Sequence, residues 1–174
     1  TVGPAAGRAA RVEELLARHG DAWRAESPAA PGVKWGDDLT RGFVHQAYLA
    51  ASESFIPARD ALFSVPLDDL AIDRVTTPGI RNWVTEPRLR RLRCLTLCGH
   101  FYDRGITALV SSPHVCNLET LYLGGDGRQT TDEGGQALLQ SPFLAKLRRL
   151  YVAGCAFSGP LRAALRRRFP EAVV

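Results

Sequence analysis

Hydrophobic residues recur along this chain in a short fixed pattern, L-x-x-L-x-L, whose clearest copy is residues 118–123. The apolar positions of five copies are Val44, Ala47 and Leu49; Leu67, Leu70 and Ile72; Leu92, Leu95 and Leu97; Leu118, Leu121 and Leu123; and Leu147, Leu150 and Val152. Side chains alternate between the two faces of a strand, so the fourth and sixth positions of each copy share one face. The pattern therefore predicts five short strands near 44–49, 67–72, 92–97, 118–123 and 147–152.

The stretches between the strands also match one another. Residues 103–125 align with residues 132–154 without a gap, and the agreement includes a Ser-Pro pair. The matched pairs are Asp103 and Asp132, Gly105 and Gly134, Ala108 and Ala137, Leu109 and Leu138, Ser112 and Ser141, and Pro113 and Pro142. We therefore predict one internal repeat unit, in which each strand is followed by a helix, near 103–112 and 132–141.

Repeats of 20–29 residues with this core are typical of leucine-rich repeats. Parallel strands stack about 4.8 Å apart, whereas helices are wider, so the array must bend with its strands on the inside. The sequence thus predicts the α/β class and, within it, a leucine-rich-repeat solenoid. In this arc the parallel strands lie on the concave side, the helices lie on the convex side, and the repeats span 43–174.

The first 42 residues are predicted to cap the array. Apolar residues from Arg8 to Trp23 recur at helical spacing, and a terminal repeat needs a cover for its apolar flank. A hairpin is predicted between 33–35 and 42–44, with the turn at 36–38. Residues 1–42 are therefore assigned to an N-terminal capping helix and hairpin. Further helices are predicted over 53–64, from 76–78 to before Pro87, and over 161–169, with a last strand at 172–174.

Charge and composition narrow the function classes. No run of 18 apolar residues occurs, so the sequence predicts no membrane span. The four Cys residues show no tight pairing pattern, which favours a reducing, cytoplasmic location. The net charge of +4 is uneven, because residues 1–87 carry 9 basic and 12 acidic side chains whereas residues 88–174 carry 13 and 6.

Residues that could form a metal site or an active site are present but badly placed. Cys98 and His100 leave the C-terminal end of one strand, whereas His114 and Cys116 precede the next strand at the opposite sheet edge, roughly 15 Å or more away. Cys94 and Cys98 lie four residues apart on one strand, roughly 13 Å, which is too far to share an ion. Zinc needs ligands within about 2.3 Å, so no metal or other cofactor is predicted. No Ser/His/Asp or Cys/His set can be assembled, and the loop 124–128 lacks the Lys-Ser/Thr ending of a phosphate loop. We therefore expect no enzyme activity.

The strand positions between the leucines predict a binding surface on the concave face. Its candidate residues are Tyr48, Asp69, Thr96, Thr120, Tyr122, Arg149 and Tyr151. Tyr and Arg are common binding hot spots. The alternative is that Tyr122 and Tyr151 only stack on each other as cross-strand neighbours.

Basic residues cluster before two strands. The members of this predicted basic edge are Arg90, Arg91, Arg93, Lys146 and Arg148. A further cluster, at 162 and 166–168, is predicted on the terminal helix. A solvated charged face is the favoured explanation, and a surface for nucleic acid or an acidic partner is the alternative.

Several segments carry a family resemblance. They are the stretch 41–44, the helix that ends at Leu62-Phe63 before Pro66, the Asp-x-Gly-x-x-Ala-Leu-x-x-Ser-Pro return, and Glu14–Gly20 with Trp23 and Trp35. Together they resemble the bacterial "repeat-companion" leucine-rich-repeat proteins, whose repeats are of the ribonuclease-inhibitor type. The resemblance implies a non-enzymatic, intracellular repeat domain.

The function expected from the sequence is a non-catalytic scaffold for protein–protein interaction, within a larger bacterial protein or complex. The expected partner is another protein, and no membrane is involved. One alternative is a basic arc that binds nucleic acid. A second is a regulatory repeat domain of an enzyme whose catalytic part is absent from this chain.

Overall fold

The computed structural model of the protein describes residues 4–40, 43–125 and 130–174, and they form an α/β fold with a mostly parallel sheet. The helices are α1 (Pro4–Ala25), α2 (Phe55–Leu62), α3 (Thr77–Trp83), α4 (Asp103–Val110), α5 (Asp132–Gln140) and α6 (Gly159–Arg168). The strands are β1 (Val33–Trp35), β2 (Leu39–Thr40), β3 (Phe43–Val44), β4 (Gln46–Leu49), β5 (Asp69–Thr76), β6 (Cys94–His100), β7 (Thr120–Gly124), β8 (Arg149–Ala153) and β9 (Glu171–Val173). Short 3-10 turns lie at Ser52–Ser54, Pro87–Arg91 and Pro113–Val115.

Seven strands form one sheet in the order β1-β4-β5-β6-β7-β8-β9. β1 is antiparallel to β4, and every later neighbour in this sheet is parallel. The leucine pattern keeps its register across the strands, since Leu70, Leu95, Leu121 and Leu150 are successive partners. All four side chains are at most 1% exposed. The shared inner face of the sheet is therefore apolar from β5 to β8.

The parallel register is fixed by a repeated backbone arrangement at the strand starts. The carbonyl of His45 accepts the N–H groups of Asp68 and Asp69, and the carbonyls of Asp68, Arg93 and Glu119 each accept two N–H groups from the next strand in the same way. These eight N···O distances lie between 2.7 and 3.1 Å. One carbonyl thus aligns each strand with its neighbour. At β9 only the Glu171 N–H donates to Arg148, because Pro170 has no N–H.

β5, β6, β7 and β8 begin two residues later than the leucine pattern predicts. The N–H groups of Leu92, Leu118 and Leu147 donate to the carbonyl three residues earlier, so each of these leucines closes a turn before its strand. The three side chains are still buried, at 4% exposure or less. The first leucine of each copy therefore packs in the core without being part of the sheet.

The predicted hairpin between 33–35 and 42–44 is wrong. β1 instead pairs with β4, with Val33 opposite Leu49 and Trp35 opposite Ala47. This pairing lets Val33 and Trp35 pack against the main core. β2 and β3 form a separate two-stranded sheet, and the two residues that connect them, Arg41 and Gly42, lie outside the described residues.

Polar side chains at the helix starts hold neighbouring helices close together. Asp103, at the start of α4, accepts hydrogen bonds from the Thr131 and Gly134 N–H groups and from the Thr131 hydroxyl, at 2.8–3.0 Å. A Cβ atom at Gly134 would lie 2.6 Å from the Asp103 carboxylate, so only glycine fits without a shift. The Asp at the start of α4 and the Gly of α5 in the two aligned stretches thus form a contact between successive helices.

The Ser-Pro pair makes the matching contact at the other end of the helices. The buried Ser112 hydroxyl donates to the Val84 carbonyl at 2.7 Å, and the Ser141 hydroxyl donates to the Val110 carbonyl at 2.6 Å. Each serine thus satisfies a carbonyl at the end of the preceding helix, which would otherwise be buried without a partner.

We expect Leu121→Ala to lower the free energy of unfolding by about 3 kcal/mol, because it leaves a cavity in the fully buried centre of the sheet. Ile56→Ala is the matched control, since Ile56 is 41% exposed and its truncation should cost less than about 1 kcal/mol. Urea unfolding of the three proteins measures both values. Equal destabilisation by the two variants would contradict the position of Leu121 in the core.

Candidate binding surface

The side of the sheet opposite the core carries the predicted binding residues, and we call it the outer face. Two rows of side chains cross it in register. The first row is Gln46, Asp69, Cys94, Thr120, Arg149 and Glu171. The second row is Tyr48, Ala71, Thr96, Tyr122, Tyr151 and Val173. All seven predicted residues of the binding surface fall in these rows, although they come from five strands.

Tyr122 and Tyr151 form a flat aromatic pair on the outer face. Their ring centroids are 4.3 Å apart and the rings are nearly parallel, at 5°. Both side chains remain partly exposed, and Val173, the next residue in the row, is 61% exposed. Burial, with the neighbouring Tyr151 hydroxyl, raises the pKa of Tyr122. The pair therefore stacks as cross-strand neighbours do and also presents an apolar surface beside β9.

Arg149, next to the tyrosine pair, is held by an acidic partner that the sequence pattern did not indicate. Its Nε lies 2.5 Å from Glu171 Oε2, and both side chains are about half exposed, at 55% and 50%. The hydrogen bond to Glu171 raises the pKa of Arg149. Glu171 was missed because β9 has no leucine pattern of its own. The pair fixes the direction of the Arg149 side chain and balances its charge.

The β4–β6 side of the outer face has a different chemistry, built on two carboxylates of β5. Asp69 accepts a hydrogen bond from Gln46 Nε2 at 3.1 Å, and Asp73 accepts one from the Tyr48 hydroxyl. The hydrogen bond from Tyr48 to Asp73 raises the pKa of Tyr48. Asp73 was missed, and the available signal was its spacing of four residues from Asp69, which places both on one face of a strand.

A thiol lies beside each of these carboxylates. Burial, followed by the negative charge of Asp69, raises the pKa of Cys94 to about 12. Burial, followed by Asp73, also raises the pKa of Cys98. Both groups are therefore protonated near neutral pH, which makes them poor nucleophiles and poor metal ligands.

The predicted basic edge lies at the starts of the strands, and its two clusters do meet there. Asn117 joins them, because its Nδ2 donates to the Arg90 carbonyl at 2.7 Å and its Oδ1 accepts from Lys146 Nζ at 2.7 Å. Arg93 lies 3.0 Å from Glu119, so its charge is balanced. The carboxylate of Glu119 thus lies among these cations and offsets part of their charge.

Arg91, a member of this edge, and its neighbour Arg88 both bind other groups of the protein. Arg91 donates to the carbonyls of Phe63 and Val65, at 2.7 and 2.8 Å. Arg88 pairs with Glu86 and Asp60, at 2.7 and 2.9 Å. Both guanidinium groups also lie over the Phe63 ring, with Arg88 5.2 Å and Arg91 6.0 Å from its centroid. The 88–93 cluster therefore serves largely to hold the fold together.

The candidate metal residues stay apart. Cys94 and Cys98 lie four residues apart on β6, whereas His114 and Cys116 lie at the 3-10 turn before β7. Among residues 4–40, 43–125 and 130–174, no three His, Cys, Asp or Glu side chains are grouped in a way that could hold a metal ion. Of the glycine-rich loop at 124–128, residues 126–128 lie outside the described residues. No helix in the described part of the chain is long and apolar enough to span a membrane.

Comparison with known proteins does not assign a family. No protein-family model matches the chain, and a search of the curated proteins finds no similar sequence.

We expect Cys94 to resist alkylation in the folded protein. A rise in pKa from 9.0 to about 12 lowers its thiolate fraction at pH 8 about a thousandfold, and the thiolate is the form that reacts with iodoacetamide. Mass spectrometry of the native and the urea-unfolded protein measures the two rates. Asp69→Asn should speed the native reaction, because it removes the second cause of the shift. Similar rates in both states would contradict this environment for Cys94.

Proposed function

We propose that the chain is a leucine-rich-repeat solenoid with an N-terminal helical cap and that it works as a non-catalytic protein-binding scaffold. Three features support the repeat architecture: the in-register leucines, the shared carbonyl at each strand start, and contacts that recur between successive units. In these contacts Asp103 and Asp132 each accept a backbone N–H, and Ser112 and Ser141 each donate to a carbonyl. The resemblance to the bacterial repeat-companion proteins belongs to the same proposal.

One observation carries the proposal of a binding function. The outer face presents a part-exposed aromatic pair, Tyr122 and Tyr151, which leads to the exposed Val173 at the end of the sheet. The pair is rigid, because each ring packs against the other, so little side-chain entropy is lost when a partner covers it. Aromatic side chains in such a setting are typical interface anchors.

A non-catalytic role fits the polar groups of the same face. Asp69 and Asp73 accept hydrogen bonds from their neighbours, Arg149 is paired with Glu171, and the thiols of Cys94 and Cys98 have raised pKa values. None of these groups combines an activated nucleophile with a base. The four cysteines are free thiols, which supports a reducing compartment such as the cytoplasm. A regulatory role toward a catalytic domain elsewhere would use the same face.

We expect Tyr122→Ala and Tyr151→Ala each to weaken binding of a protein partner at least about tenfold, because hot-spot truncation costs more than about 1.4 kcal/mol. The partner is first isolated by affinity capture from cells of the source organism and then purified, and binding is measured by calorimetry. Tyr102→Ala is the matched control, since Tyr102 is 50% exposed and lies before α4, away from the outer face.

Thermal unfolding of the three tyrosine variants separates binding from stability. We expect the melting temperature of each variant to stay within a few degrees of that of the parent, because each tyrosine is only partly buried. If both outer-face variants bind the purified partner as tightly as Tyr102→Ala does, the aromatic pair is not the binding site.

The basic edge gives nucleic acid as the second candidate function. Part of the charge in this region is already balanced, because Arg93 of the edge pairs with Glu119, and the neighbouring Arg88 pairs with Glu86 and Asp60. Stacking of single-stranded bases also needs aromatic rings among the cations, and Tyr122 and Tyr151 lie on the outer face instead. The protein scaffold is therefore the favoured function.

We expect no complex with nucleic acid at physiological ionic strength, and only weak, salt-sensitive binding below it. Each phosphate contact on duplex DNA would lower the logarithm of the affinity by about 0.9 per tenfold rise in salt. Gel shifts with duplex DNA, single-stranded DNA and RNA over a salt series test this. A sub-micromolar complex that survives about 0.15 M salt would favour the nucleic-acid function over the scaffold.

A further inference from the structure

The N-terminal ends of the parallel strands lie along one edge of the sheet, which we call the strand-start edge. A polar hollow lies on this edge, between the start of β8 and the segment that joins α6 to β9. Its volume is about 530 Å³, and its lining includes Lys146, Arg148, Arg168, Glu119 and Pro170. Lys146 and Arg148 belong to the predicted basic edge, whereas Arg168 belongs to the cluster predicted on the terminal helix. The fold thus brings together cations from two clusters that the sequence keeps apart. We call this site the cationic hollow, after its three cations Lys146, Arg148 and Arg168.

Two of the three cations are held in place by neutral acceptors. Lys146 Nζ donates to Asn117 Oδ1 at 2.7 Å, and an ammonium group has two further N–H donors. One terminal nitrogen of Arg168 donates to the Ser141 carbonyl at 2.7 Å, and its guanidinium lies over the Phe169 ring, 5.4 Å from the centroid. A guanidinium has five N–H donors, so most of those of Arg168 remain for a ligand. These neutral acceptors orient the Lys146 and Arg168 side chains without neutralising their positive charge.

Arg148 completes the cationic hollow. Its side chain is exposed and makes no hydrogen bond or ion pair within the described part of the chain. The carboxylate that lines the hollow, Glu119, is already bound to Arg93 at 3.0 Å. The hollow therefore keeps an excess of positive charge, in contrast to Arg88, Arg91 and Arg93, whose side chains are paired with carboxylates or bonded to carbonyls.

We propose that the cationic hollow binds a phosphate-like oxyanion carried on a phosphorylated side chain of a protein partner. Three cations that line one hollow match a phosphate dianion better than a singly charged carboxylate, and the planar guanidinium groups of Arg148 and Arg168 suit paired phosphate oxygens. This surface is separate from the outer face, so the proposal stands or fails independently of the aromatic pair.

A phosphoprotein fits the hollow better than a nucleic acid does. A nucleic-acid strand carries phosphates at regular intervals, and it would need to continue along the strand-start edge. That edge continues with the Arg93–Glu119 pair and then with Asp68, which is bound to His45 at 2.8 Å. Because their cations are already paired with carboxylates, these positions attract further phosphates less than the hollow does. An isolated phosphate group on a protein segment meets only the cationic part of the edge.

The first experiment maps the site with inorganic phosphate alone. In the ¹⁵N-labelled protein, phosphate should shift the backbone amide signals near residues 146–148 and 168–171 and the Arg148 Nε–Hε signal. Arg148→Gln should weaken this binding about tenfold, since it removes one of three charge-assisted partners. Arg81→Gln removes the same charge from an exposed site on α3 and should leave the affinity unchanged. Arg168→Gln is a second variant, and its melting temperature is checked because Arg168 also bonds to Ser141.

The second experiment identifies the carrier of the phosphate. A short peptide with one phosphoserine should bind at least about tenfold more tightly than the same peptide with serine, and Arg148→Gln should abolish the difference. Shifts spread evenly over the surface arginines, or equally strong in Arg148→Gln, would show an adventitious ion only and overturn the site. Tighter binding of a ten-nucleotide single strand than of the phosphopeptide at equal salt would overturn the protein partner.

Discussion

The structure depends on one backbone interaction, in which a single carbonyl before each strand accepts two successive N–H groups from the next strand. Asp68, Arg93 and Glu119 each provide such a carbonyl, and each is itself held by the strand before it. This arrangement sets the parallel register, and a one-residue slip would turn every buried leucine toward solvent. The in-register core and the in-register rows of the outer face are two consequences of the same alignment.

The helices follow the strands because polar contacts fix their spacing at both ends. At one end Asp103 reaches across to Gly134, and at the other Ser141 reaches back to Val110. Each contact needs a small or specific partner, since a side chain at Gly134 would meet the carboxylate and an apolar residue at Ser141 would leave a carbonyl unsatisfied. These requirements explain why polar and glycine positions recur in the two aligned stretches as regularly as the leucines do.

The sequence predicted the strands and helices well where burial determines them, and poorly where pairing does. Leucine periodicity reports which face of a segment is buried, so it located β5 to β8 and both rows of the outer face. It contains no information on the partner of a short strand. The predicted hairpin was therefore wrong, and β1 pairs with β4 instead. Glu171 and Asp73 were also missed, because each acts through a residue on another strand: Glu171 binds Arg149, and Asp73 accepts a hydrogen bond from Tyr48.

Net charge is a poor guide to the electrostatics of this surface, because several arginines are bound to carboxylates or carbonyls of the protein itself. Arg88, Arg91 and Arg93 are bound to carboxylates or carbonyls, whereas Arg148 is exposed and has no such partner in the described part of the chain. Counting residues gives these four equal weight, yet only an uncompensated cation attracts a ligand strongly at physiological salt. Lys146, Arg148 and Arg168 line one hollow whose single carboxylate is bound to Arg93, and this uncompensated charge is the basis of the proposed phosphate-like ligand.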